Sequence, residues 1–140
     1  MQSMMMKTFA MCLLSSALLF CAADAVAADR VQAGQWETTL TGATPQPMVS
    51  KYCITAAEAR AMNGDLATLR KYLEESTAAN TKGRCAVKDV ELNGNRTVVT
   101  MKCGKTEVVG TTTYHGDRYE STSSNGSTVT GRRLGACPAP

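Results

Sequence analysis

Beyond residue 28 this chain has no phenylalanine, since both copies, Phe9 and Phe20, come earlier. One Trp and four Tyr must supply every large ring of its core. Branched aliphatics are also few, with 6 Leu, 1 Ile and 9 Val over residues 29–140. Such poverty signals disorder only when paired with high net charge, and here the net charge is +3. A length of 140 residues admits one domain, not two. The balance of 15 basic to 12 acidic residues is too even to argue for a nucleic-acid partner. A single histidine and widely separated cysteines exclude the common His/Cys metal patterns. Neither a Gly-x-Gly-x-x-Gly nor a complete phosphate-loop motif is present. No metal or cofactor is expected.

The first 28 residues read as a secretory leader. Lys7 and the amino terminus give a positive start, and Phe9–Phe20 is almost wholly apolar. Ala25-Val26-Ala27 or Val26-Ala27-Ala28 then offers the small-x-small cleavage pattern. A dozen apolar residues fall short of the roughly 20 that span a bilayer, so no membrane span is expected after cleavage. A lipoprotein signal wants a small residue before its Cys, and Cys21 follows Phe20. The expected mature chain, residues 29–140, is one soluble domain in the periplasm or outside the cell.

That domain holds 17 Thr, a residue that favours strands along with Val. It also holds Cys53, Cys85, Cys103 and Cys137. An even count in a small exported chain reads as two disulfides. Cross-links here substitute for a large core.

Gln35–Leu40 alternates Trp36, Thr38 and Leu40 with Gln35, Glu37 and Thr39, the period of a half-buried strand. A turn over 42–47 leads to a second strand, Met48–Ile54. Thr55-Ala56-Ala57-Glu58 is a capping box, and the short helix after it stops at Asn63-Gly64. Asp65 caps a second helix with Leu66, Leu69 and Leu73 at helical spacing. Residues 75–84 read as a polar loop. Five further strands follow in a meander, with turn signals at Asn93-Gly94-Asn95, Gly116-Asp117 and Asn125-Gly126. The fold class is therefore mainly β with a helical insertion (α+β): an antiparallel meander or sandwich, or a partly open barrel.

A hairpin centred on Gly94 sets Cys85 opposite Cys103 and Val87 opposite Met101. The meander leaves Cys137 at the far end of the sheet, where a helix running its length also leaves Cys53. The expected pairs are Cys85–Cys103 and Cys53–Cys137. The sequential alternative, Cys53–Cys85 with Cys103–Cys137, stays open.

Several short patterns occur together: Gly34-x-Trp36-Glu37, Cys53-Ile54-Thr55-x-x-Glu58, the Cys85 and Cys103 hairpin, Tyr114-x-Gly116-Asp117-x-Tyr119, and Gly131-Arg132-Arg133-Leu134-Gly135-x-Cys137-Pro138. In these the chain resembles DUF family 3617, small exported bacterial proteins known only as a domain of unknown function. The resemblance spans nearly all of residues 29–140. It implies an envelope location and a compact β domain, and supplies no reaction, substrate or catalytic residue.

Catalytic chemistry finds little support. His115 is the only side chain suited to base catalysis near neutral pH, and its predicted turn favours a solvated ring. With Asp117 and Ser121, Ser123 or Ser124 it makes a Ser/His/Asp set on paper, but no Gly-x-Ser-x-Gly elbow fixes a nucleophile. Glycosidase chemistry needs facing carboxylates, whereas counting from Gly116-Asp117 puts Glu120 opposite Thr113. Redox exchange wants Cys-x-x-Cys, and the nearest pair beyond residue 28 has 17 residues between. No catalytic residue is expected.

One candidate binding patch remains. Two-residue hairpins place Tyr114 opposite Tyr119, Tyr119 opposite Arg132 and Arg118 opposite Arg133. A patch of Tyr114, Tyr119, Arg118, Arg132 and Arg133 has the composition of binding hot spots and suits lipid headgroups or saccharide phosphates. The competing reading packs both Tyr inward while the Arg stems snorkel. The leading expectation is a non-enzymatic envelope module that binds an unidentified macromolecule or small ligand. Its rivals are an inhibitor of an envelope-attacking hydrolase such as lysozyme, inserting the turn at Gly94 or Gly116, and a carrier of small apolar ligands.

Overall fold

The computed structural model describes residues 29–140; the leader predicted over 1–28 lies outside the described residues. Seven strands and two helices follow the chain as β1 (Gly34–Thr41), β2 (Met48–Ile54), α1 (Ala56–Met62), α2 (Leu66–Thr81), β3 (Cys85–Asn93), β4 (Arg96–Cys103), β5 (Thr106–Tyr114), β6 (Arg118–Ser123) and β7 (Thr128–Gly135). Of the architectures open at the level of sequence, the chain adopts a single open antiparallel sheet in the order β2-β1-β7-β6-β5-β4-β3. Among the described residues, no helix is long and apolar enough to cross a membrane.

The disulfides are Cys53–Cys137 and Cys85–Cys103, the pairing expected from the layout. Cys85 sits directly opposite Cys103, and Val87 opposite Met101, but the hairpin is not centred on Gly94: Asn93 pairs with Arg96 across a two-residue turn, and the bulge between Val87 and Asp89 restores the count. Both cross-links fit an oxidising compartment.

Strand alternation sorts the two faces. Trp36 is fully buried and forms one cluster with Val31, Ile54 and Ala59, the last contributed by α1. The helix-facing side therefore carries Trp36, Thr38 and Leu40, as the period of β1 demands. Tyr114 and Tyr119 pack against the same cluster, with ring centroids 6.0 Å apart and Tyr119 5.7 Å from Trp36. α2 packs on β3, and Leu69 and Val90, one from each, are both buried. Among the described residues, the opposite face of the sheet carries no helix.

Residues 29–33, which show no sequence period, are held by a backbone bridge from Val31 to Gly116 and by side chains. Asn63, the C-cap of α1, accepts from the Val31 amide at 3.0 Å and donates to the Val31 carbonyl at 2.8 Å, imitating a strand pair. Arg30 donates twice to the Met62 carbonyl and also reaches Gly64, satisfying carbonyls that the helix end leaves open.

The polar loop expected over 75–84 is a correction: α2 runs on to Thr81. Its half-buried stripe continues from Leu69, Tyr72 and Leu73 into Ser76 and Thr77, where the apolar signal ends but the helical period does not. The Ser76 hydroxyl donates to Leu73 O, and that of Thr81 to Thr77 O. The helix closes when Gly83 N donates to Ala78 O and Lys82 N to Ala79 O, a Schellman arrangement that needs a left-handed residue at Lys82. Lys82 has φ 52°. That conformation costs a side-chain-bearing residue about 1–2 kcal/mol, against a Gly entropy penalty of about 0.5–1. Lys82→Gly is accordingly expected to stabilise the fold by about 0.5–1 kcal/mol, read as an upward shift of the urea midpoint at constant slope. A lowered midpoint would show that the Lys82 side chain contributes more than its backbone strain.

Candidate functional site

A shift of one residue changes which arginines share a face within the expected Tyr/Arg patch. Strands β6 and β7 pair Arg118 with Arg132 and Tyr119 with Gly131, where a two-residue Asn125-Gly126 hairpin would have set Tyr119 against Arg132 and Arg118 against Arg133. The loop has three residues. Ser123 N donates to Ser127 O at 2.9 Å, Gly126 N donates back to Ser123 O, and Gly126 takes the left-handed position with φ 87°. Ser124 is pinned to β5, donating from its amide to Val109 O while its hydroxyl accepts from Val109 N. Asn125 accepts from both the amide and the hydroxyl of Ser127. Since the side-chain period of a strand is two, one residue of shift exchanges faces.

Tyr114 and Tyr119 thus lie on the helix side, where they remain opposite one another as expected. The Tyr119 hydroxyl lies 3.0 Å from that of Tyr52. Burial pushes the phenols of Tyr119, Tyr114 and Tyr52 above their ordinary value, so they act as neutral hydrogen-bonding groups. Arg133 alternates to this side too and donates from Nε to Ala33 O at 2.7 Å.

Arg118 and Arg132 remain together on the open face. In register with them runs the row Lys51, Glu37, Arg132, Arg118, one residue from each of β2, β1, β7 and β6. Glu37 accepts from Arg132 Nη2 and Nε at 2.8 and 3.0 Å and has Lys51 Nζ at 3.8 Å. The Arg132 hydrogen bond is the main cause that holds the Glu37 carboxyl below its usual value, so the pair persists at neutral pH. Arg118 has a looser counter-ion, Asp117 Oδ1 at 3.6 Å from its Nε. The next row reads Thr39, Thr130, Glu120, Thr113, with Glu120 opposite Thr113 as the turn count requires. Together Glu37, His115, Arg118, Glu120, Thr130 and Arg132 line an open groove of about 410 Å³.

Glu37 and Lys51 did not figure in the expected patch. Their signal was available, since Glu37 faces away from Trp36 by alternation, but placing β1 beside β7 needs the sheet order. His115 lines the groove, whereas Ser121 and Ser123 alternate to the helix side, Ser121 accepting from Thr112, and Ser124 sits in the loop at the other end of β6. The Ser/His/Asp set is not assembled. Among the described residues, no group of three or more His, Cys, Asp or Glu side chains is placed to hold a metal.

No curated protein and no solved structure matches this chain. A family model described as "Protein of unknown function (DUF3617)" matches residues 31–137. That match takes in every strand, both helices and all four disulfide-bonded cysteines, and the chain belongs to the DUF3617 family.

Proposed function

We propose that the protein is an exported envelope module that acts by binding, and that the open face of its sheet takes an anionic group of an envelope macromolecule or small ligand between Arg118 and Arg132. The observation that carries this is the direct opposition of the two arginines across β6 and β7. Like charges directly opposite on a sheet are destabilising. Glu37 offsets Arg132, while Arg118 is left with a more distant carboxylate. A carboxylate or phosphate entering the groove removes the repulsion and accepts charge-assisted hydrogen bonds from a guanidinium fork. The neighbouring Thr39, Thr130 and Thr113 hydroxyls and the Glu120 carboxylate are suited to the polar body of such a ligand. Export rests on the leader-like composition of residues 1–28 and on two disulfides, which persist in oxidising compartments.

Thermal melts in rising inorganic phosphate, at constant ionic strength, test the site. The melting temperature of the unaltered protein is expected to rise with phosphate, because a ligand bound only by the folded state stabilises it by mass action. Arg118→Thr should abolish that rise. In the absence of phosphate the same change should leave stability within about 0.5 kcal/mol or raise it slightly, since cross-strand charge pairs contribute roughly 0.2–1 kcal/mol. Equal phosphate dependence in both proteins would refute the site.

The inhibitor reading draws less support. Both candidate turns are tied down: Gln32 N donates to Gly116 O and Gly116 N to Arg30 O, while Asn95, beside Gly94, accepts from Tyr114 N and donates from Nδ2 to Tyr114 O. Unchanged lysis rates in a lysozyme turbidity assay are expected.

A further inference from the structure

The two edges of the sheet are built differently. The β3 edge has a bulge between Val87 and Asp89, charged Lys88, Asp89 and Glu91, and α2 packed on its strand. Bulges, charges and covering elements are the means by which proteins keep further strands from adding. The β2 edge is less guarded, with no bulge along its pairing. It pairs with β1 through seven residues without a register shift, contains no proline and carries one charge, Lys51. Every residue from Met48 to Cys53 is exposed. Of the five exposed large hydrophobic residues among those described, three are here: Met48 at 55%, Val49 at 62% and Tyr52 at 39%.

The side chains of this edge are arranged symmetrically about Ser50. Met48, Ser50 and Tyr52 pair with Leu40, Thr38 and Trp36 and so share the helix-facing side, while Val49 and Lys51 flank Ser50 on the other. A closed two-fold interface requires this kind of self-complementarity, in which residue i meets j and j meets i. We propose that β2 pairs antiparallel with β2 of a second copy of this chain, with the two-fold axis at Ser50. Met48 then lies opposite Tyr52 of the second copy, twice, and a thioether beside an aromatic ring is a favourable contact. Val49 lies opposite Lys51, twice, so each lysine stem covers a valine while its amine stays near Glu37 of its own copy. An axis at Lys51 would set the two lysines against each other. An axis at Val49 would carry Tyr52 past the end of the facing strand.

The guarded β3 edge stops growth at two copies, where two open edges would build a filament. One strand pairing lies at the low end of interface size, so the dimer dissociates on dilution. It also joins the two open faces side by side and presents a pair of Arg118–Arg132 sites, which raises avidity for a polyanion. The pairing itself does not depend on what those sites bind.

Light scattering on the purified protein across a wide concentration range is expected to show the apparent mass doubling. Ser50→Cys places a thiol on the axis, facing its own copy across a distance of about 4.5–5.5 Å. It should form a cross-linked dimer under mild oxidation far faster than Thr44→Cys, an exposed position off the axis in the turn before β2. Val49→Lys should hold the protein monomeric while its far-ultraviolet spectrum, and its melting temperature at concentrations where the unaltered protein is also monomeric, remain unchanged. A monomer at every concentration, equal cross-linking of the two cysteine variants, or a dimer that survives Val49→Lys would each overturn the proposal.

Discussion

Replacing Cys53 and Cys137 together by alanine is expected to lower the unfolding free energy by about 4.5 kcal/mol, and replacing Cys85 with Cys103 by about 3.2 kcal/mol. The difference follows from loop length. Cys53–Cys137 closes a sequence separation of 84 residues and Cys85–Cys103 one of 18, and the chain entropy withheld from the unfolded state grows with the logarithm of that number. Either loss is large beside the roughly 5–15 kcal/mol that holds a typical domain together. It is larger still in relative terms here, where six hydrophobic side chains make up the buried core of the described residues. The long bridge also ties edge strand β2 to the tail after β7, with β1 between them. Urea unfolding of the two double variants, extrapolated at a common slope, measures both values. The reverse order would show that local packing around the hairpin bridge, not chain entropy, governs its contribution.

Gly131→Ala should cost about 3 kcal/mol, at the upper end of the range for overpacking a filled site. This glycine is buried, and its φ is not in the left-handed region, so backbone freedom is not the reason for it. The Tyr119 ring lies over it. A Cβ built on Gly131 would fall 2.1 Å from Tyr119 Cε1 and 2.4 Å from Cζ. The ring cannot turn aside cheaply, because it packs on Trp36 and its hydroxyl meets that of Tyr52. Tyr119→Ala removes the obstacle, so adding Gly131→Ala to it should cost much less than in the unaltered chain, and a double-mutant cycle would expose the coupling. Strict additivity would mean that the methyl is accommodated by another route.

Strand existence was legible because it rests on local alternation. Met48–Ile54, Arg96–Cys103 and Arg118–Ser123 begin and end where turn residues and period place them. The capping boundary at Thr55 was equally readable, since the hydroxyl and carboxylate that close it are three residues apart. The second half of α2 was not, because its sheet-side positions, Ser76 and Thr77, are polar and carry no apolar period. Nor was the clasp of Arg30 and Val31 on the end of α1, which joins residues 32 and 34 apart through side-chain to backbone hydrogen bonds. Asn63-Gly64 reads as a helix stop with or without it.

The candidate site divides in the same way. By itself the sequence determined that arginines and tyrosines converge near the last hairpin, that Tyr114 faces Tyr119, and that four cysteines close two bridges, with the hairpin pairing preferred and the sequential one left open. Those follow from alternation and from counting out of short turns. Which of Arg118, Arg132, Arg133, Tyr114 and Tyr119 share a face was decided only in three dimensions. Ser124 bonds to β5, the last hairpin loop takes three residues instead of two, and one residue of register moves a side chain through the sheet. The addition of β1 to β7, which brings Glu37 and Lys51 into line with the arginines, is likewise a long-range pairing. No local pattern encodes it, because a strand's free edge accepts any partner that the rest of the fold brings alongside.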